Sequence, residues 1–175
     1  MEDAISRLKK SENLNMKALK YDSLRTSTIL MAGLVATAAM LVLAYLLIAG
    51  GAPVPDLAAQ YGSFFNDRVH PAIFSSAWWA GMIVHDVAGV VVFPLIYRFL
   101  ARRDVIPERE MAGALFFSVL LWVVNGVISA PLAGEGFFMS ALPNSFVLTM
   151  TNLVCWLVYG FTFGSILQSR TLSGV

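Results

Sequence analysis

The sequence predicts an all-α integral membrane protein: a bundle of four transmembrane helices with both termini on the cytoplasmic side. Three observations predict it. Of 175 residues, 58% are hydrophobic and only 13% charged, where a soluble domain carries about a quarter charged residues; mean hydropathy is +0.72. Four apolar stretches, Ser27–Gly50, Pro71–Tyr97, Met111–Ala130 and Phe146–Leu167, each reach the roughly 20 residues needed to span a hydrocarbon core as a helix. Lys and Arg are strongly segregated around those stretches.

The segregation sets the orientation. Arg7, Lys9, Lys10, Lys17, Lys20 and Arg25 precede the first stretch, and Arg98, Arg102, Arg103 and Arg109 surround the second connection. Arg170 follows the last stretch, and the other two connections hold only Arg68. An excess of this kind places the basic side in the cytoplasm, with Asp56, Asp67 and Glu135 on the outer side. The domains are a basic tail over 1–26, a four-helix membrane domain over 27–168 and a cytoplasmic tail over 169–175. The first stretch reads as a helix and not as a cleaved leader, because its apolar run exceeds the usual 7–15 residues. Ile5, Leu8, Met16 and Leu19 among the lysines fit either a surface-lying amphipathic helix or a solvated tail.

Composition also excludes function classes. A net charge of +1 argues against a nucleic-acid partner. The single cysteine, Cys155, excludes an intrachain disulfide, a CxxC pair and a cysteine zinc site. The sequence has no glycine-rich phosphate loop, nucleophile elbow, HExxH motif or paired catalytic carboxylates, so no enzyme is expected.

The polar residues inside the apolar stretches carry what remains. The first contributes Thr37, the second His85 and Asp86, the third Asn125 and the fourth Asn152. Helical neighbours point about 100° apart, so His85 and Asp86 are each expected to find a separate partner. Thr37 lies level with His85, and Asn125 lies level with Asn152. The plainest reading is an intramembrane polar clamp formed by all five residues, since polar side chains commonly join membrane helices.

Two sharper readings stand beside it. Ala77, Gly81 and Gly89 share a stripe with His85 at four-residue spacing. That stripe suits close packing by a helix, and it would equally clear space for a flat haem or chlorin on His85. His70 is the only other histidine and lies outside the core, so two axial histidines are not expected from this chain. The other reading is an oligomeric proton or solute carrier using Asp86. No discontinuous-helix signature is seen beside His85, and Pro94 predicts a mild kink.

Two segments between the helices are unusually apolar. "GAPVPDLAAQYGSFF" and "PLAGEGFFMSALP" each carry a Gly–Phe–Phe element, and Glu135, Phe137 and Phe138 are expected to contact the membrane interface or a partner. Trp78 and Trp79 fit an interfacial belt. "MAGLVATAAM" and "MAGALFFSVL" open the first and third helices, and "HDVAG" is loosely matched by "WLVYG" in the fourth. That echo fits two helical hairpins in parallel orientation.

The order "AGLVAT", "WWAGMIVHDVAGVVVFPLIY", "PLAGEGFF" and "VYGFTFG" resembles a family of small uncharacterised bacterial four-helix inner-membrane proteins, over about Thr28 to Leu167. Members often carry a histidine near the final Tyr-Gly, where this chain has Trp156. The resemblance implies a multi-pass protein of the bacterial inner membrane. It also implies partners among other membrane-protein subunits besides the lipid bilayer. The expected role is a non-catalytic accessory subunit of an energy-transducing complex, respiratory or photosynthetic. No cofactor is the leading expectation, with haem or chlorin on His85 as the alternative.

Overall fold

The computed structural model describes residues 26–66, 70–107 and 109–172. Most of the basic tail, together with Asp67 and Arg68, lies outside the described residues. Every regular element among the described residues is helical. The long helices are α1 (Thr26–Ala49), α3 (Ser76–Arg102), α4 (Glu110–Leu132) and α5 (Ser145–Leu172), and all four are long and apolar enough to cross a membrane. A short helix, α2 (Leu57–Gly62), precedes a 3₁₀ turn at Ser63–Phe65, and a second 3₁₀ turn occupies Phe137–Met139.

Both boundaries of the second long helix differ from the sequence expectation, and the last long helix runs on past Leu167 to Leu172. The second long helix begins at Ser76 and not at Pro71, because Ser75 caps it: its hydroxyl accepts the Trp78 N–H at 3.2 Å. Phe74, just upstream, has a left-handed backbone that no helix continues through. The helix also runs on past Tyr97 to Arg102, and Asp104 at φ 60° ends the run. The segment before it is not a plain loop. Asp56 caps α2 by accepting the Ala59 N–H at 2.9 Å, which lets "LAAQYG" close a helical turn and a half.

α5 packs against both α1 and α4, and α1 packs against α3. The chain therefore forms two hairpins, α1–α3 and α4–α5, joined along α1 and α5. Small residues set how closely they approach. A Cβ on Gly33 would lie 2.4 Å from the Pro94 ring, and one on Gly160 2.4 Å from the Ser118 hydroxyl. Towards the arginine-bearing end the core is aromatic. Tyr97 meets Phe117 and Phe163 edge-on at 5.6 and 5.1 Å, and Tyr159 stacks on Phe163. At that end Arg98 donates to the Thr26 hydroxyl at 2.9 Å, tying the start of α1 to α3. Large apolar side chains such as Val42, Leu46, Ile83, Phe99 and Phe161 cover the outward faces.

α3 and α4 are each interrupted by one π-helical turn, at Ala88–Val92 and Asn125–Ser129. The cause is local. Proline has no N–H, and its ring crowds the carbonyl four residues back. Pro94 and Pro131 each follow their π turn by two residues, and the turn widens to absorb the misfit. The Phe93 N–H reaches back five residues to Ala88, and the Ala130 N–H does the same to Asn125. The two sites read "GVVVFP" and "GVISAP". This match pairs the second and third long helices, unlike the first-with-third echo expected from sequence. It also corrects the expectation that no helix discontinuity lies near His85: the π turn begins three residues after it.

Candidate functional site

The end of the bundle opposite the arginines holds a chain of buried polar side chains. His70 Nε2 lies 3.2 Å from Glu135 Oε1, with the His70 side chain 43% exposed and that of Glu135 only 3%. Gln60 of α2 donates its amide to the other Glu135 oxygen. Asn125 Nδ2 donates to Gln60 Oε1 at 2.8 Å, and Asn152 Nδ2 donates to Asn125 Oδ1 at 2.9 Å. Three helices and two connecting segments thus contribute to one hydrogen-bonded line that starts at the surface and ends inside the bundle.

Each member is positioned by its own stretch of backbone. Glu135 sits between Gly134 at φ 84° and Gly136 at φ 75°, conformations in which glycine carries no steric penalty. The reversal folds the carboxylate inward, where burial raises its pKa above the ordinary value. The Gln60 hydrogen bond and the His70 charge oppose that rise, and Asp56 adds to it. Burial also raises the Tyr61 hydroxyl, against the pull of Asn125 and Ser129. Gln60 is inside because α2 lies tight on α3. Gly81 makes this contact: a Cβ there would stand 2.0 Å from the Ala58 carbonyl oxygen and 2.4 Å from the Gly62 nitrogen. Asn125 opens the π turn of α4.

Beside the end of this line is an apolar cleft of about 280 Å³. Met40 and Ala44 of α1, Met82 and His85 of α3, and Asn152 and Cys155 of α5 form its walls. Asp56, Leu57 and Ala58 close one end, and Tyr45, Ile73 and Phe74 stand at the exposed margin. Asp56 accepts the Trp78 indole N–H at 3.0 Å as well as capping α2.

The five residues expected to form one clamp divide into separate groups. Asn125 and Asn152 meet, as their levels suggested. His85 and Asp86, expected to find separate partners, contact each other, with Nδ1 3.2 Å from Asp86 Oδ1. The side chains bend around the helix enough to overcome the angle between their Cβ directions. Asp86 is 44% exposed on its side chain while His85 is buried, so Asp86 stands at the bundle's edge. Thr37 is buried with no hydrogen-bond partner for its hydroxyl. Its Oγ1 fills the notch at Gly89, 2.4 Å from where a Cβ would be.

The small-residue stripe is therefore occupied by protein. Gly81 receives the α2 backbone and Gly89 receives Thr37, so a haem or chlorin stacked on the stripe over His85 does not fit. No group of three or more His, Cys, Asp or Glu side chains converges for a metal ion among the described residues. The outer segments also need correction. Trp78 is buried and bonded to Asp56, whereas Trp79 is half exposed as a belt residue would be. Phe138 lies over Gly126 and 5.0 Å from the Trp122 ring, whereas Phe137 is exposed.

Gln60 and the inward turn of Glu135 were missed from the sequence. Both left a signal. An Asp-capped "DLAAQYG" can form a helix, and a glutamate between two glycines in a loop rich in Phe has the means to turn inside. The π turns have a visible signature too, in the repeated Gly-Val and proline.

These features define a protein that is all-helical over the described residues, with four helices long and apolar enough to cross a membrane, a buried carboxylate–amide line and an apolar cleft at its end. The chain matches DUF6789, a family of unknown function, over residues 25–172 and belongs to that family. No curated protein and no solved structure matches it.

Proposed function

We propose that the chain is a multi-pass protein of the bacterial inner membrane, with its arginine-bearing end in the cytoplasm, that binds a membrane-borne amphiphile in the cleft between α1 and α3. The role is non-catalytic and suits an accessory subunit that holds a lipid-like cofactor for a larger complex. One observation carries this reading: an apolar cavity of about 280 Å³ meets the inner end of a buried polar line at Asn152. Apolar walls with a few placed polar groups are the ordinary make-up of a ligand site. The charge bias supports the orientation, and the apolar outward faces suit lipid or neighbouring subunits.

The test is to fill the cleft. Ala44→Phe adds a ring at the wall without touching the polar line. Native mass spectrometry of the purified wild type is expected to show a bound amphiphile of defined mass, absent from Ala44→Phe at unchanged helical circular dichroism. Retention of the same species by the filled variant would rule the cleft out as its site.

A further inference from the structure

The polar line has a direction. An ionised carboxylate only accepts hydrogen bonds, so Glu135 forces the Gln60 amide nitrogen towards itself. Gln60 then presents Oε1 to Asn125 Nδ2, and Asn125 presents Oδ1 to Asn152 Nδ2. Each amide is turned the same way. At the cleft, Asn152 keeps the whole of its acceptor Oδ1, beside the second hydrogen of Nδ2.

The other polar groups on the cleft wall have the same sense. Asp56 offers a carboxylate, and it also uses up the Trp78 indole donor. His85 faces the Asp86 carboxylate with Nδ1, so Nδ1 serves as the donor in that contact and is not offered to the cleft. Of the remaining lining residues, Cys155 is a weak donor, and the Tyr45 hydroxyl sits at the exposed margin. An apolar pocket whose polar wall is rich in acceptors pairs best with a ligand that brings its own donor.

Building on the proposed binding role, we propose that the cleft selects amphiphiles with a neutral hydroxyl head, the class of phenols, hydroquinones and long-chain alcohols, and that the ionised Glu135 enforces this selection through Gln60, Asn125 and Asn152. Protonation of Glu135 removes the lock. A carboxylic acid donates, Gln60 can turn its oxygen to receive that proton, and the line can reverse until Asn152 presents its amide nitrogen. The groups that face Glu135 and bias this switch are His70, Asp56 and Tyr61 besides Gln60. Burial raises the carboxyl's pKa above its ordinary value, so protonation, and with it the change, is favoured as the pH is lowered.

The experiment compares para-nonylphenol with para-nonylanisole, its methyl ether, which accepts but cannot donate. Binding to the full chain in nanodiscs is measured by titration calorimetry against protein-free discs. At neutral pH the phenol is expected to bind about tenfold more tightly, the scale of one net hydrogen bond. The ratio is expected to fall to within about twofold in Asn152→Leu, where the acceptor is gone. It is expected to fall likewise in the wild type as acidification protonates Glu135, a readout that needs no variant to fold. If both probes bind equally at neutral pH, or the ether binds better, the hydroxyl selection is overturned and the cleft remains a binding site. A phenol preference unchanged in Asn152→Leu and across pH overturns the role of the amide line. If neither probe binds, the proposed binding function fails with it.

Discussion

The two π turns begin from the same local cause and end in opposite surroundings. At Ala88–Val92, the Phe93 N–H donates to the Ala88 carbonyl and Pro94 has no N–H to give, which frees the Gly89 carbonyl. The Tyr159 hydroxyl donates to that carbonyl at 2.8 Å, within the aromatic core. At Asn125–Ser129 the same break opens on a residue whose side chain belongs to the polar line. One turn is sealed by a single hydrogen bond in dry packing, and the other is part of a buried network that borders a cleft. A proline and a glycine at fixed spacing are enough to break a helix ladder. What the break does depends on the side chains that other helices bring to it.

Their glycines give the sharpest way to break the comparison. Gly89 faces Thr37 on a packed helix, whereas Gly126 faces the ring of Phe138, a side chain of the connecting segment. Gly89→Leu should separate α1 from α3 and cost about 3 kcal/mol, the upper end for overpacking. Gly126→Leu should cost about 1 kcal/mol by the same measure. Equal losses in steric-trap unfolding would show that the two turns are held alike.

The polar side is tested by removing one hydrogen-bonding group from each turn. Asn125→Leu deprives both Gln60 and Asn152 of their partners and should destabilise the bundle by about 2 kcal/mol. Tyr159→Phe frees only the Gly89 carbonyl and should cost about 1 kcal/mol. If Tyr159→Phe proved the more harmful, the sealed turn would be the more dependent on its hydrogen bond, reversing the contrast drawn here.

The smallest effect is a pH dependence confined to the network side. Burial raises the folded-state pKa of Glu135 above its ordinary value of 4.5. Between those two values the native protein keeps a proton that the unfolded chain has released, so stability falls as pH rises through the window. It is full below the ordinary value. The melting temperature of the wild type, measured relative to Glu135→Gln, should therefore decline from acidic to neutral pH. A relative rise over that range would mean that Gln60 and His70 outweigh desolvation.

The four long helices were legible in the sequence because apolar length is a property of consecutive residues, and because a helix satisfies its own backbone. Asn125 with Asn152 was legible too, since residue count along a span gives depth. The helix starts were less so: Ser75 decides where α3 begins through one hydroxyl, within a stretch that is apolar on both sides of it. His85 and Asp86 show the limit of angular reasoning, because side-chain rotation closes a gap that Cβ directions leave open.

By itself, the sequence determined the helical class, the apolar lengths and the charge asymmetry, all of which follow from neighbours along the chain. Only the tertiary structure decided that the Gly81 stripe receives α2 and not a macrocycle. It alone joined His70, Gln60, Asn125, Glu135 and Asn152 into one line, and set a cleft at the line's end. Those residues are up to 92 positions apart, counting from 60 to 152, and no local pattern relates them. Their meeting depends on how closely the backbones approach at Gly81 and on the inward turn between Gly134 and Gly136, both of which are settled by packing.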